Sequence, residues 1–433
     1  GLSAAAGAAL PFRQAQAVGS FRVFKYENGL HAILVPDRRY PRVAGLVRHL
    51  GGVRHEAAGQ AGVAHLLEHI SFRPPPPSHK FLVNESAFTS HGSNASTHFM
   101  FTQYYRSEQT YRFKYALWRE RWRITEMPRR LNESDMELEQ PIVLNEMRWR
   151  GETRPHFRGT LQMWQGLFPE GHPFHWYYLG SPEDVAKASF ADLKKFLKDR
   201  YATESTYVAV VGDFDPTEGE TLVKEYFGGI PKSAPAPVRD VPPVEITESK
   251  VFSVNDPLAK QPELMMGWHS PQWYSEGDAQ AELTAQILGQ LRSSRLRIGV
   301  PEAAFISARQ IGMKPGSVFT VNAIPRVGVS LEALAAKIDA ELDRLRREPP
   351  TARELDRATR ALILKTAYTM ESPLDRAELL VDTVSNIGDN DPMAVAESRY
   401  KSVTAAQVQA FAEKVLHPDK RVVVLSQPEG GAQ

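Results

Sequence analysis

The apolar positions of this 433-residue chain fall into two similar series, each opening with short strand-like runs and continuing into helical periodicity. Phe21 to Val35 alternates well enough for strands, with Glu27-Asn28-Gly29 as a hairpin turn. Val43 to Leu50 reads as a further strand that ends at Gly51-Gly52. An apolar-periodic helix spans Ala61 to Phe72 and is stopped by Arg73 and the prolines after it. Asn94 to Tyr105, rich in Thr, Phe and Tyr, predicts another strand, and long helical patterns run from about Glu108 to Arg150. After a loop with Gly171-His172-Pro173, the helix Ser189 to Arg200 leads into the strand Thr206 to Val211, closed by Gly212-Asp213. Five prolines between Pro231 and Pro243 mark a linker with little to bury.

The second series repeats the order. Strand regions at Lys250 to Phe252 and Glu263 to Trp268 precede a helix from Asp278 and a strand near Val318 to Ile324. Helices follow at Leu331 to Arg347, Ala352 to Thr369 and Leu374 to Asn386, then a last helix capped by Thr404 and a strand from Arg421 to Leu425. The pattern predicts an α+β protein of two homologous sandwich domains, each an antiparallel-rich sheet packed with helices. The expected boundaries are a flexible segment 1–20, a first domain 21–230, a Pro-rich linker 231–246 and a second domain 247–433.

Composition narrows the chemistry. A net charge of +1 implies no bulk attraction to nucleic acid, and no apolar run has the length of a membrane span. With no cysteine, disulfides, thiolate metal ligands and a cysteine nucleophile are excluded. The missing cysteine and the Ala-rich start, trimmed of its Met, point to the periplasm, with the cytoplasm or the mitochondrial matrix as alternatives.

The chemical signal is His65-Leu66-Leu67-Glu68-His69. On a helix the two histidines and the glutamate share one face. Two imidazoles so placed can hold one zinc ion, with Glu68 aimed at the metal's open position. This is the inverted H-x-x-E-H form of the zinc-peptidase motif. The candidate third ligand is Glu146, and Glu139, two helical turns earlier on the same face, is a candidate second partner. The plain alternative for both is a solvated helix carboxylate. Pro141 between them would kink a helix or mark its start. In the chemistry this set suggests, zinc lowers the pKa of a water and Glu68, as general base, moves its proton to the leaving amine. His91 and His98 flank the strand at Asn94 and are read as surface or packing residues, with the cleft as the alternative. His55, His172 and His175 read as loop residues, Tyr104 and Tyr105 as core or cleft wall, and Arg119, Arg121 and Arg123 as a solvated helix face. No glycine-rich phosphate loop follows a strand.

Gly62 to Phe72 resembles the motif of the pitrilysin family of inverted-zincin peptidases, to which insulin-degrading enzyme and mitochondrial processing peptidase belong. The 76 residues between His69 and Glu146 match that family's spacing to its third ligand, and Glu139 falls on its accessory glutamate. Glu85 and Gly92-Ser93-Asn94-Ala95-Ser96-Thr97 resemble its E…G-x-N-A-x-T segment. The resemblance implies that Asn94, Ala95, Ser96 and Thr97 form an edge strand that binds extended substrate. Weaker likenesses lie at Asn28-Gly29-Leu30, Gly180-Ser181 and Val211 to Phe214, and in the second half at Trp268…Pro271, Ser294-Arg295-Leu296 and Arg353-Glu354-Leu355.

One departure shapes the expected assembly. Self-sufficient family members carry an Arg and a Tyr in the second half that contact the substrate carbonyl. Here the segment after Ser294-Arg295-Leu296 is short, Phe305 is its nearest aromatic, and Arg297 or Arg309 is the candidate cation. The resemblance therefore implies the zinc-bearing subunit of a heterodimer. It would hold one Zn2+ per chain, act on peptides or unfolded segments, and pair with a homologous chain that lacks the zinc motif and is the candidate source of the Arg-Tyr pair. The rivals are a catalytically silent scaffold subunit and a processing peptidase with one leader-peptide substrate.

Overall fold

The computed structural model describes residues 13–14, 21–39, 41–73, 93–388 and 391–430. Two sheets organise the chain. The first has seven strands in the order β1-β2-β3-β7-β4-β6-β5, and the second has five in the order β10-β11-β9-β12-β8. The first comprises β1 (Arg13–Gln14), β2 (Arg22–Lys25), β3 (His31–Pro36), β4 (Arg42–His49), β5 (Ser93–Thr97), β6 (Thr102–Gln109) and β7 (Thr206–Gly212). The second comprises β8 (Lys250–Asp256), β9 (Glu263–Ser270), β10 (Ala303–Ile311), β11 (Ser317–Pro325) and β12 (Val422–Pro428). Reversed, the second order corresponds strand for strand to β3-β7-β4-β6-β5. Among the described residues, the parallel pair of each sheet joins the corresponding strands, β3 with β7 and β8 with β12. The expected α+β repeat is therefore present. All seven residues of β7 are buried, because a central strand covered on both faces must be apolar throughout.

Six helices build the site and the packing between the halves: α1 (Val63–Ile70), α2 (Glu133–Glu152), α3 (Phe157–Leu167), α4 (Asp278–Ala285), α5 (Ala352–Thr369) and α6 (Pro373–Ile387). Two of them pack on the sheet of the opposite half. Met163, Trp164 and Leu167 of α3 join one core with Met265, Val318 and Val422 of the second sheet. Ala377, Leu380 and Val381 of α6 join another with Ile33, Leu46 and Ala209 of the first. Gly166 permits the first packing, since a Cβ there would meet Val422 Cγ1 at 2.8 Å. The prolines of the linker also do not form a free tether. Arg200 donates to the carbonyls of Ala236 (2.8 Å) and Pro237 (3.3 Å), and Val241 and Ile246 are buried.

Several elements differ from expectation. The strand Asn94 to Tyr105 is two strands, β5 and β6, joined by a turn in which the His98 N–H donates to the Phe101 carbonyl (2.8 Å). Glu108 lies in β6, and after a 3-10 turn at Thr110–Arg112 the α-helix begins at Phe113–Thr125. Strand β10 and the helices α3, Pro182–Lys187, Pro216–Phe227 and Pro392–Lys401 were not legible as such. Pro141 neither starts nor ends a helix: α2 begins after the N-cap Asn132, whose side chain accepts from Asp135. Arg119 and Arg123 are not solvated. Arg123 is buried, pairs with Glu120 at 3.1 Å and lies over the Tyr104 ring. Thr404 is an N-cap as expected, in a reciprocal pair with Gln407. Among the described residues no helix is long and apolar enough to cross a membrane. Most of segment 1–20, with Glu85, His91 and Gly92, lies outside the described residues.

Candidate metal centre

The motif helix α1 is short and locked at both ends. Gly62 precedes it at φ +106°, where a Cβ would meet Val185 Cγ2 at 2.5 Å, so glycine is required by both conformation and space. The Glu56 carboxylate accepts the N–H of Ala64 (2.9 Å), satisfying one of the free donors of the first turn. Leu66, Leu67 and Ile70 enter a core with Val143 and Met147 of α2, which fixes the rotation of α1 against α2. The opposite pole of α1 then carries His65, Glu68 and His69.

That rotation brings the predicted residues together. One donor atom each from His65, His69 and Glu146 lie within 4.8 Å of one another. His69 Nε2 is 3.0 Å and His65 Nε2 3.9 Å from the Glu146 carboxylate. A tetrahedral zinc with bonds of about 2.1 Å spaces its ligand atoms about 3.4 Å apart, so the donor set fits that ion with sub-ångström to ångström adjustment. Burial, then the His69 charge, pushes His65 down to about 4, which leaves its imidazole neutral and able to donate a lone pair. The hydrogen bond from His69 holds Glu146 down at about 2. Glu139 reaches the other nitrogen of His69, Nδ1, at 3.3 Å and also pairs with Arg73. A carboxylate on the far nitrogen orients a ligating imidazole and raises its basicity.

Glu68 is 8 % exposed and faces a cavity of about 70 Å³ with His65, Ala95, Ser96, Thr97, Arg150, Tyr178 and Leu179. Burial raises its carboxyl above the ordinary range, partly offset by the Thr97 hydroxyl, which donates to it at 2.7 Å. Among the described residues, the strand β5 that carries Thr97 is the edge of its sheet. Counting back from the bonded pair His98–Phe101, the antiparallel alternation turns the main chain of Ala95 and Thr97 away from β6. The Ala95 N–H meets the side chain of its neighbour Asn94 (2.9 Å), which is itself exposed. Arg150, missed in the sequence, salt-bridges Glu146 at 2.7 Å, and its i+4 spacing from Glu146 was the available signal. Tyr178 gave none, because it sits in a loop. Neither Arg297 nor Arg309 lines this cavity. Phe305 is 44 % exposed on β10, and His98 is an exposed turn residue.

Residues 187–362 match the family model described as Peptidase M16 inactive domain. The chain is similar to named zinc proteases over most of its length. It is 26% identical over 366 residues to the zinc protease PqqE of Helicobacter pylori, covering 82% of this chain and 81% of that one. A crystal structure of a protease from Helicobacter pylori superposes with a TM-score of 0.83 at 22% identity, over 95% of this chain and 100% of its own. The periplasmic protease PqqL of Escherichia coli superposes with a TM-score of 0.78 at 17% identity, over 96% of this chain but 48% of that longer one. The segment matched to the inactive domain starts beyond Glu146, so the candidate donor set His65, His69 and Glu146 lies wholly outside it.

Proposed function

We propose that this chain is a zinc-dependent endopeptidase, with His65, His69 and Glu146 as ligands and Glu68 as general base. The observation that carries the reading is the convergence of those three donors beside a buried glutamate and an open strand edge. An extended peptide adds to β5, where the outward main chain of Ala95 and Thr97 offers hydrogen bonds with little demand on sequence. A zinc ion held there supplies Lewis acidity toward the scissile carbonyl and toward water. Glu68, oriented by Thr97, takes the proton of the attacking water and delivers it to the departing nitrogen. The raised affinity of Glu68 for a proton suits both acts. Glu139 holds His69 in place while this occurs.

The partner reading goes with it. The fold of this chain spans about half of the longer PqqL chain, and among the described residues the cavity at Glu68 receives no cation or hydroxyl from the second half of the chain. Both support a clamp completed by a second, homologous chain. One zinc per chain and a periplasmic setting belong to the same proposal. The silent-scaffold reading draws on the inactive-domain match and leaves the converged donor set without a purpose. Metal analysis together with peptide cleavage by wild type and Glu68→Gln tests the proposal. The variant is expected to keep its zinc and to lose about 10²–10⁴-fold in kcat. A variant that cleaves as well as wild type removes Glu68 from the role.

A further inference from the structure

A second cavity, of about 330 Å³, lies where the two halves meet and shares no lining residue with the cavity at Glu68. It is within the size range of small-molecule sites, about 300–1,000 Å³. Arg54 and Arg200 enter it from the first half, and Trp273 and Lys314 from the second. Its carboxylates are already committed: Asp382 pairs with Arg48, and Glu204 pairs with Lys232 at 3.2 Å. Arg54 and Lys314 form no ion pair among the described residues, and the buried Nε atoms of Arg54 and Arg200 meet no acceptor. Arg200 is buried, and its other nitrogens donate only to linker carbonyls. Burial pulls the affinity of all three cations for their protons down, and Arg54 adds to the effect on Lys314. His55 beside them is held at about 3 by burial, then by Arg200 and Arg54, and so stays neutral. Beside the paired Arg48, three cations that form no ion pair among the described residues thus share one cavity with no free carboxylate, an arrangement that costs free energy unless an anion joins it.

We propose that this interdomain cavity binds a phosphate-class oxyanion, held by Arg54, Arg200 and Lys314 and bridging the two halves of the chain. A multivalent oxyanion is favoured over a single carboxylate because it can accept from two guanidinium groups and an ammonium at once. The walls also connect to the substrate edge. Arg48 bonds Gln103 (3.0 Å), and Gln103 donates to Ser96 of β5 (3.2 Å).

The test is thermal unfolding of the full chain titrated with inorganic phosphate at constant ionic strength, balanced with chloride. A saturable rise in Tm is expected for wild type. Lys314→Gln and Arg54→Gln should weaken the apparent Kd about tenfold or more, the loss of one charge-assisted contact. Without phosphate these variants should unfold no earlier than wild type, since each removes an unpaired cation. Lys314→Arg should restore the response. Glycerol phosphate tested in parallel separates the sources: tighter binding than phosphate indicates a phosphorylated small molecule, weaker binding the free ion, and either supports the site. A wild-type shift no larger than the chloride control, or variants that respond as wild type does, overturns it.

Discussion

Three residues around α1 set measurable quantities. Glu139 is not one of the three converged donors but holds Nδ1 of His69. Glu139→Gln is expected to lower zinc affinity about 10–100-fold with the fold unchanged, read by competition with a chelator and by circular dichroism. Thr97→Val keeps the shape of the side chain and removes the hydrogen bond to Glu68. It should reduce kcat more than it changes KM, and an effect confined to KM would assign Thr97 to substrate binding instead. Glu56 is buried at the start of α1, raised to about 8 by burial and by Asp184 against the pull of the Ala64 and Gly62 N–H groups. The folded chain therefore keeps a proton that the unfolded chain has released above its ordinary value of 4.5. The stability this group contributes is complete below that value and is lost as pH rises through about 8. In Glu56→Gln that component disappears, so the variant should gain on wild type between about pH 4.5 and 8 in urea unfolding. A difference that stays flat with pH would remove Glu56 as the source. His65, Glu68 and His69 were legible from spacing alone, because helical geometry fixes which residues share a face. Arg150 and Tyr178 were not, since nothing in sequence says which loop closes over that face.

At the scale of elements, the edge strand is the part to perturb. Ala95→Pro deletes a main-chain donor that points away from β6 and so spares the pairing of the sheet. Peptide KM should rise severalfold while zinc content stays that of wild type, and an unchanged KM would move substrate off β5. The sequence placed Asn94 to Thr97 in a strand but ran it on to Tyr105, because Phe99, Met100 and Phe101 are apolar and keep the pattern going. In the structure these residues leave the sheet at a turn, and Phe99 stacks on Trp164 of α3 at 4.9 Å. A tertiary contact with a distant helix thus decided a local boundary. Likewise Arg295 and Glu354, noted in separate segments, form a two-point ion pair at 2.8 and 3.1 Å that joins α5 to the start of the short helix Arg295–Gly299.

At the scale of the whole molecule, the exchanged helices make the two halves interdependent. Leu380 is fully buried against the first sheet although it lies in the second series. Leu380→Ala should cost about 2–5 kcal/mol and reduce hydrogen-exchange protection in β3 and β7, not only in its own half. Residues 21–230 expressed alone lack α6 and expose Ile33, Leu46 and Ala209, so they should be aggregation-prone until residues 247–433 are supplied. A stable, monomeric 21–230 fragment would contradict the exchange. The sequence by itself determined the repeat, the helical face of His65, Glu68 and His69, and the cap at Thr404, because these follow from periodicity and from bonding within a few residues. Only the tertiary structure decided that α3 and α6 cross to the opposite sheets, that Glu146 closes on His69 with Arg150 behind it, and that Arg54 and Lys314 share a cavity. Those outcomes depend on which apolar faces find one another across long stretches of chain, and a one-dimensional pattern states that a face is apolar without stating its partner.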